Sequence, residues 1–241
     1  TPKHMVENGK CVFGTFDKEF ETMDLMGIDN PTHAPDCFKK LKLTIWEATE
    51  VHFDEGLLLT ACADMGIYGA ILTIWYDKRT KKVTTWNVQL PREAVHMAGN
   101  LINGSVSEAE GPAGRVHYVN NFQDGKAHLE AGLNTEEGKL EFNLDLSRLS
   151  LPSIVSIPFE DPAVRHRPLY SQKDLFQVKG KLILNGEEIL YTPEGLRNVQ
   201  VLFINPTDEA APETTGKAKA DAAKAEIDAG KDFMEAMVAY S

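Results

Sequence analysis

Asn185-Gly186 sits between two runs of alternating apolar residues, and this dipeptide suits a two-residue type I′ turn because both central residues must take positive φ. A two-residue loop sets Leu184 opposite Glu187, Leu182 opposite Ile189 and Gly180 opposite Tyr191. One face of the hairpin then carries Val178, Leu182, Leu184, Ile189 and Tyr191, and the other carries Lys179 and Lys181. Gly180 leaves room for the Tyr191 ring to lie on bare backbone, as in a sheet that must curve. One wet face and one apolar face are the signature of an antiparallel sheet over a core.

The same period recurs upstream. Leu41, Leu43 and Ile45 alternate with Lys42 and Thr44, predicting a strand that runs on through Trp46 to Phe53, followed by a second from Leu57 to Ala63. A third run, Ile67 to Tyr76, is apolar on both faces: Tyr68, Ala70, Leu72, Ile74 and Tyr76 on one, Ile67, Ile71 and Trp75 on the other. Such a strand needs cover on both sides. Val83 to Leu90, a strand around Leu101 to Glu108, the alternations Val116/Tyr118, Ala127 to Leu133 and Leu140 to Leu146, and Val199 to Ile204 complete the series. Strands spaced by Gly, Asn and Asp turns, with no helical period between them, predict an antiparallel, mainly β domain over 41–204. Residues 1–40, broken by Asn8-Gly9, Pro31 and Pro35, predict an irregular arm with one short strand near Cys11 to Phe16. After Pro206 the composition turns to Ala and charge, predicting a linker over 205–216 and a helical tail over 217–241. That tail has an apolar stripe only at Ile227, Phe233, Met234, Met237 and Val238, with Gly230 in its middle.

Charge narrows the partners. With 25 Lys and Arg against 36 Asp and Glu the chain carries −11, with the acids spread along it, so neither nucleic acid nor an anionic membrane surface is expected. No apolar run approaches the roughly 18 residues of a membrane span, so stable membrane insertion is not expected either. Cys11, Cys37 and Cys62 have no C-x-x-C spacing, and Thr1-Pro-Lys-His-Met opens no signal-peptide apolar region; together these predict a reducing, cytoplasmic setting. The seven His residues show no metal-ligand spacing, and there is no phosphate loop, dinucleotide fingerprint or nucleophile elbow. No metal and no cofactor is expected.

Leu151-Pro-Ser-Ile-Val-Ser-Ile-Pro-Phe159, Arg167-Pro-Leu-Tyr-Ser-Gln-Lys173 and the hairpin, with Asn8-Gly-Lys-Cys-Val-Phe-Gly-Thr-Phe16 and Leu58-Leu-Thr-Ala-Cys-Ala-Asp-Met-Gly-Ile-Tyr-Gly69, resemble a large family of lipocalin-like proteins known only as a domain of unknown function. That family is distantly similar to carotenoid hydratases and tocopherol cyclases. The resemblance implies a calycin-type antiparallel barrel, or a strongly curved sheet, with an apolar lumen. Gln172 stands where many relatives have His, and from Gly195 the chain departs from the family's second, aromatic-rich barrel. If the chain is half of a two-barrel protein, an uncovered apolar surface is left for a ligand or a second copy in a homodimer.

The expected function is binding of a hydrophobic small molecule, a lipid or isoprenoid, in the barrel. The candidate ligand residues are Trp46, Asp64, Tyr68, Trp75, Trp86, Arg167, Tyr170 and Lys173. The tryptophans would line a lumen or fill a core. Arg167, Tyr170 and Lys173, which the motif match indicates, would meet a ligand's polar end. Asp64, inside the apolar stretch Leu57 to Trp75, is the candidate catalytic acid of the alternative, a hydratase or cyclase, since a carboxyl facing a dry lumen has a raised pKa and can protonate an alkene. The plainer reading makes Asp64-Met65-Gly66 a turn with its carboxylate on backbone N–H groups. A third expectation is a fragment without activity of its own.

Overall fold

The computed structural model describes residues 1–32, 34–158, 167–189 and 212–231, with side chains for all but 212–216. The chain divides into two units, Thr1–Leu196 and Arg197–Ser241.

The first unit is built from strands β1 (Val6–Glu7), β2 (Lys10–Cys11) and β3 (Gly14–Phe16), a single helical turn α1 (Lys39–Lys42), and a meander of β4 (Ile45–His52), β5 (Gly56–Asp64), β6 (Gly69–Asp77) and β7 (Lys82–Leu90). There follow β8 (Val95–His96), β9 (Ser105–Gly111), β10 (Gly114–Asn121), β11 (Lys126–Thr135), β12 (Gly138–Arg148), β13 (Ser153–Pro158), β14 (Pro168–Lys173), β15 (Phe176–Leu184) and β16 (Glu187–Ile189). Every ladder between strands is antiparallel. The ladders form a four-stranded sheet β4-β5-β6-β7, a seven-stranded sheet β16-β15-β12-β11-β10-β9-β8, a three-stranded sheet β14-β13-β3 and the hairpin β1-β2.

The hairpin is in the expected register, with Leu184 paired to Glu187 and Leu182 to Ile189, and Asn185 and Gly186 at φ 52° and 86°. Val178 and Leu182 are buried while Lys179 and Lys181 are exposed. Tyr191, and the expected strand Val199 to Ile204, lie outside the described residues. On its other edge β15 pairs with β12, so the chain leaves the large sheet after Arg148, makes β13 and β14, and returns.

The two larger sheets share one core. Period-2 alternation turns Val51, Leu58, Cys62, Ile71, Trp75, Trp86 and Val88 of the four-stranded sheet toward Val116, Tyr118, Leu129, Leu140, Phe142 and Leu144 of the seven-stranded sheet. The expected barrel is not closed. Among the described residues no sheet closes on itself: β8 and β16 are the edges of the seven-stranded sheet and β4 and β7 those of the four-stranded one, with no ladder joining them. Large side chains fill the space between the sheets instead.

Two local expectations also change. Leu41 to Thr44 do not extend β4: Lys39–Lys42 form one helical turn closed by the Leu43 N–H on the Lys39 carbonyl at 3.0 Å, and Leu41 is exposed, so its alternation meets no core. The strand expected from Leu101 begins at Ser105, after the Asn103-Gly104 turn with Gly104 at φ 81°. The first forty residues, read as irregular with one short strand, hold three strands. Met5, Cys11, Phe20 and Ile28 pack there with Ile154 of β13 in a second, smaller core.

In the second unit, α2 (Pro212–Asp228) begins inside the segment read as linker. Proline is compatible with a first helical turn, where its missing N–H has no partner to lose. Gly230 does not interrupt the helix but ends it: at φ 99° its N–H meets the Ile227 carbonyl, and the Lys231 N–H meets that of Glu226 at 3.0 Å, a Schellman closure. Phe233, Met234, Met237 and Val238 lie outside the described residues.

Candidate functional site

The four-stranded sheet has a second face, turned away from the core, and its register determines its relief. One cross-strand row reads Trp46, Ala63, Ala70, Gln89 from β4 to β7, and the next reads Ala48, Ala61, Leu72, Asn87. In the first row small side chains on the middle strands lie between taller ones on the flanks, and in the second Ala48 and Ala61 continue the low floor beside Leu72; together they make a trough. Farther along, Leu59 paired with Ile74 raises the floor, and at the other end Met65 and Tyr68 of the β5–β6 turn stand over it. The resulting open groove has a volume of about 520 Å³ and is lined by Trp46, Ala61, Ala63, Met65, Tyr68 and Leu72 among others. Trp46 is 64 % exposed, an unusual position for the largest apolar side chain.

Asp64 lies between two lining residues, but its own side chain turns to the opposite side. Arg92 Nε donates to both carboxylate oxygens at 2.8 and 2.9 Å, Arg92 Nη2 to Oδ2 at 2.6 Å, and the Gly66 N–H to Oδ1 at 2.8 Å. The Met65 N–H closes the turn on the Tyr68 carbonyl at 2.9 Å. Burial alone raises the Asp64 pKa, yet the Arg92 and Gly66 hydrogen bonds and the guanidinium charge outweigh it and hold the group below its ordinary value. Asp64 is an ion-paired anion at a strand end, and it fixes the turn that carries Met65 and Tyr68.

The other expected residues are elsewhere. Trp75 and Trp86 are buried on the inner face, where Trp86 Nε1 donates to the Gly138 carbonyl at 3.0 Å. Arg167 and Lys173 are exposed at the two ends of β14. Tyr170 faces the smaller core, edge-on to Phe20, and donates to Gln172 Oε1 at 2.9 Å. Burial, then the charges of Glu19 and Asp174, push its phenol pKa up. The Gln172 amide in turn donates to Glu19 Oε1 at 3.2 Å and Asp174 Oδ2 at 2.8 Å, while Arg148 Nη2 meets the same two carboxylates at 2.5 and 2.7 Å. This buried network joins the arm, the end of β12 and the β14–β15 turn. Trp46, Tyr68 and the Asp64 turn therefore come together at the trough, whereas Trp75, Trp86, Arg167, Tyr170 and Lys173 do not.

One acid was missed. Glu47 points inward from β4, where Asn120 Nδ2 donates to its Oε2 at 3.3 Å. Burial raises its pKa, against the weaker opposing pull of hydrogen bonds from Ser107 and Asn120. Nearby, burial also pushes up the Cys62 thiol and the Tyr118 phenol. The signal was available: Ile45 and Val51 lie on the same face of β4, so Glu47 and Thr49 between them must face the core as well. Glu47 is held by protein amide and hydroxyl groups on the face opposite the trough.

Among the described residues no group of three or more His, Cys, Asp or Glu side chains is placed to hold a metal ion, and no helix is long and apolar enough to cross a membrane. No family model, no curated protein and no solved structure matches the chain.

Proposed function

We propose that this protein binds a hydrophobic small molecule in the trough on the outer face of the four-stranded sheet. The observation that carries the reading is the row Trp46–Ala63–Ala70–Gln89, an exposed indole beside a floor of alanines on a strand that is apolar on both faces. A sheet face of this kind gains free energy when an apolar partner removes it from water, at roughly 25 cal/mol per Å² of apolar area. The proposal keeps the apolar ligand implied by the lipocalin-like resemblance and moves it from a lumen to an open face. The hydratase or cyclase alternative needs a proton donor in contact with the ligand; Asp64 is ionised and engaged by Arg92, and Glu47 faces the other way.

Trp46 gives the proposal its test, since Trp75 and Trp86 are buried. Organic extraction of purified protein and mass spectrometry is expected to yield a small apolar molecule, whose return should blue-shift the Trp46 emission. Ala63→Phe, which fills the floor, is expected to abolish both. Equal ligand recovery from wild type and Ala63→Phe would place the ligand elsewhere or nowhere.

A further inference from the structure

We infer that the ligand of the trough is a neutral, fused-ring molecule carrying a carbonyl or hydroxyl oxygen, and not a fatty-acid anion or a plain hydrocarbon. The inference rests on the trough being the binding site and adds the class of molecule that fits it. Three observations carry it.

The first is shape. Trp46 on β4 and Gln89 on β7 stand at the two ends of one cross-strand row, three interstrand spacings or about 14 Å apart, with only Ala63 and Ala70 between them. The depression is thus wide as well as shallow. Along the strand direction the lining stops short of the next row, where the larger Leu59 and Ile74 replace alanine, so the low floor is short for an extended acyl chain. A flat ring system covers such a floor and reaches the apolar Trp46 side chain at one edge.

The second is charge. The lining holds Asn, Gln, Thr and Tyr but no charged side chain. Arg92, a cation beside the trough, is committed to Asp64 through three hydrogen bonds, and the charge of Lys40 acts on that same carboxylate. The charged group on the same face in the third row is Glu50, which has His52 Nε2 at 2.8 Å, and the chain as a whole carries −11. A carboxylate brought here would lose water and gain no counter-ion from the lining itself.

The third is polarity at one wall. Asn87 and Gln89 are neighbours on the outward face of β7, both exposed, and each primary amide offers two donors and an acceptor beside an apolar floor. An oxygen on the rim of a ring system lying on Ala63 and Ala70 falls against these amides, whereas a hydrocarbon leaves them to water.

Equilibrium dialysis separates the alternatives with three probes: progesterone (a neutral fused-ring ketone), 5α-androstane (the same four-ring nucleus, saturated and without oxygen) and palmitate. Each is measured on wild type, Ala63→Phe and the double variant Asn87→Leu/Gln89→Leu; all the changed positions lie on the outer face, and circular dichroism checks the fold. Progesterone is expected to bind at least tenfold tighter than palmitate. The double variant should weaken progesterone about fivefold, the worth of one neutral hydrogen bond, and leave androstane unchanged or tighter. Palmitate binding as well as progesterone, or a double variant that does not discriminate the two steroids, overturns the ligand class; if Ala63→Phe still abolishes binding in that case, the trough stands. Retention of no probe by wild type, or undiminished retention by Ala63→Phe, overturns the site and the class with it.

Discussion

Tyr118 of β10 donates its hydroxyl to the backbone carbonyl of Thr60 on β5 at 2.9 Å, a bond that ties the two large sheets together through the middle of their shared core. Beside it the Thr60 and Thr73 hydroxyls meet at 2.8 Å, so the centre of the interface holds a small hydrogen-bonded polar patch. Tyr118→Phe removes the bond and keeps the ring. A loss of about 1 kcal/mol is expected, seen as a fall of roughly 2–4 °C in the thermal midpoint of a domain this size. An unchanged midpoint would mean that the hydroxyl contributes nothing net.

Arg148 stands between two buried carboxylates, Glu19 and Asp174, and packs its guanidinium 5.1 Å from the centre of the Phe122 ring. Arg148→Met leaves both acids facing each other with no counter-charge, which costs about 3–5 kcal/mol when one partner of a buried ion pair is lost. Chemical denaturation is the measurement. Glu19→Gln in the Arg148→Met background is expected to recover part of the loss; no recovery would show that the damage is to packing and not to charge.

Glu47 sets a pH dependence of unusual sign. Its folded-state pKa lies above the ordinary 4.5, so the folded chain holds a proton that the unfolded chain releases. Its contribution is complete below pH 4.5 and is lost as the pH rises through the folded value. The groups facing it, Asn120, Ser107, Cys62 and Tyr118, offer no positive charge to offset the anion. Glu47→Gln should therefore be more stable than wild type at pH 8 and indistinguishable from it at pH 4. A gain at acid pH instead would contradict the assignment.

Asp64 behaves in the opposite sense. Its pKa is held below the ordinary 3.8, so its pairing with Arg92 stabilises the fold above that value and is lost as the pH falls through the folded pKa. Asp64→Asn is expected to cost about 1 kcal/mol at pH 7, since the pair is partly exposed. The difference from wild type should shrink toward pH 3. Because Asp64 holds the turn of Met65 and Tyr68, ligand affinity should fall by a few-fold in the same variant; if affinity alone collapses, with stability intact, Asp64 itself touches the ligand.

How much of this was visible in the residues depends on range. The Leu182–Ile189 register was legible because period-2 alternation and an Asn-Gly turn are local and redundant. So was the two-faced apolarity of Ile71 and Leu72 on β6, but the cover it predicts on both sides is present only on the inner one: the outer face is open. The barrel was not, because closure depends on which edges meet, and nothing local shows that β8 stops after His96. Nor was the trough itself: Ala63 and Ala70 become a floor only when β5 and β6 are set side by side between Trp46 and Gln89. Arg148 and Glu19 are 129 residues apart in the chain, and their pairing leaves no mark on either neighbourhood.

The ladder of β3 on β13 has a consequence during synthesis. Phe16 pairs with Ile154, Thr15 with Val155 and Gly14 with Ser156, whereas within β4 to β7 and within β9 to β12 each ladder joins strands consecutive in sequence. The meanders can zip as they leave the ribosome, but Met5, Phe20 and Ile28 have no β13 to close over them until translation has passed Ile154. At 5–20 residues per second that delay is about 7–28 s, far longer than a hairpin needs to form. The arm is thus made well before the strand that fastens it, and for that interval its apolar side chains are open to whatever in the cell greets an unfinished chain.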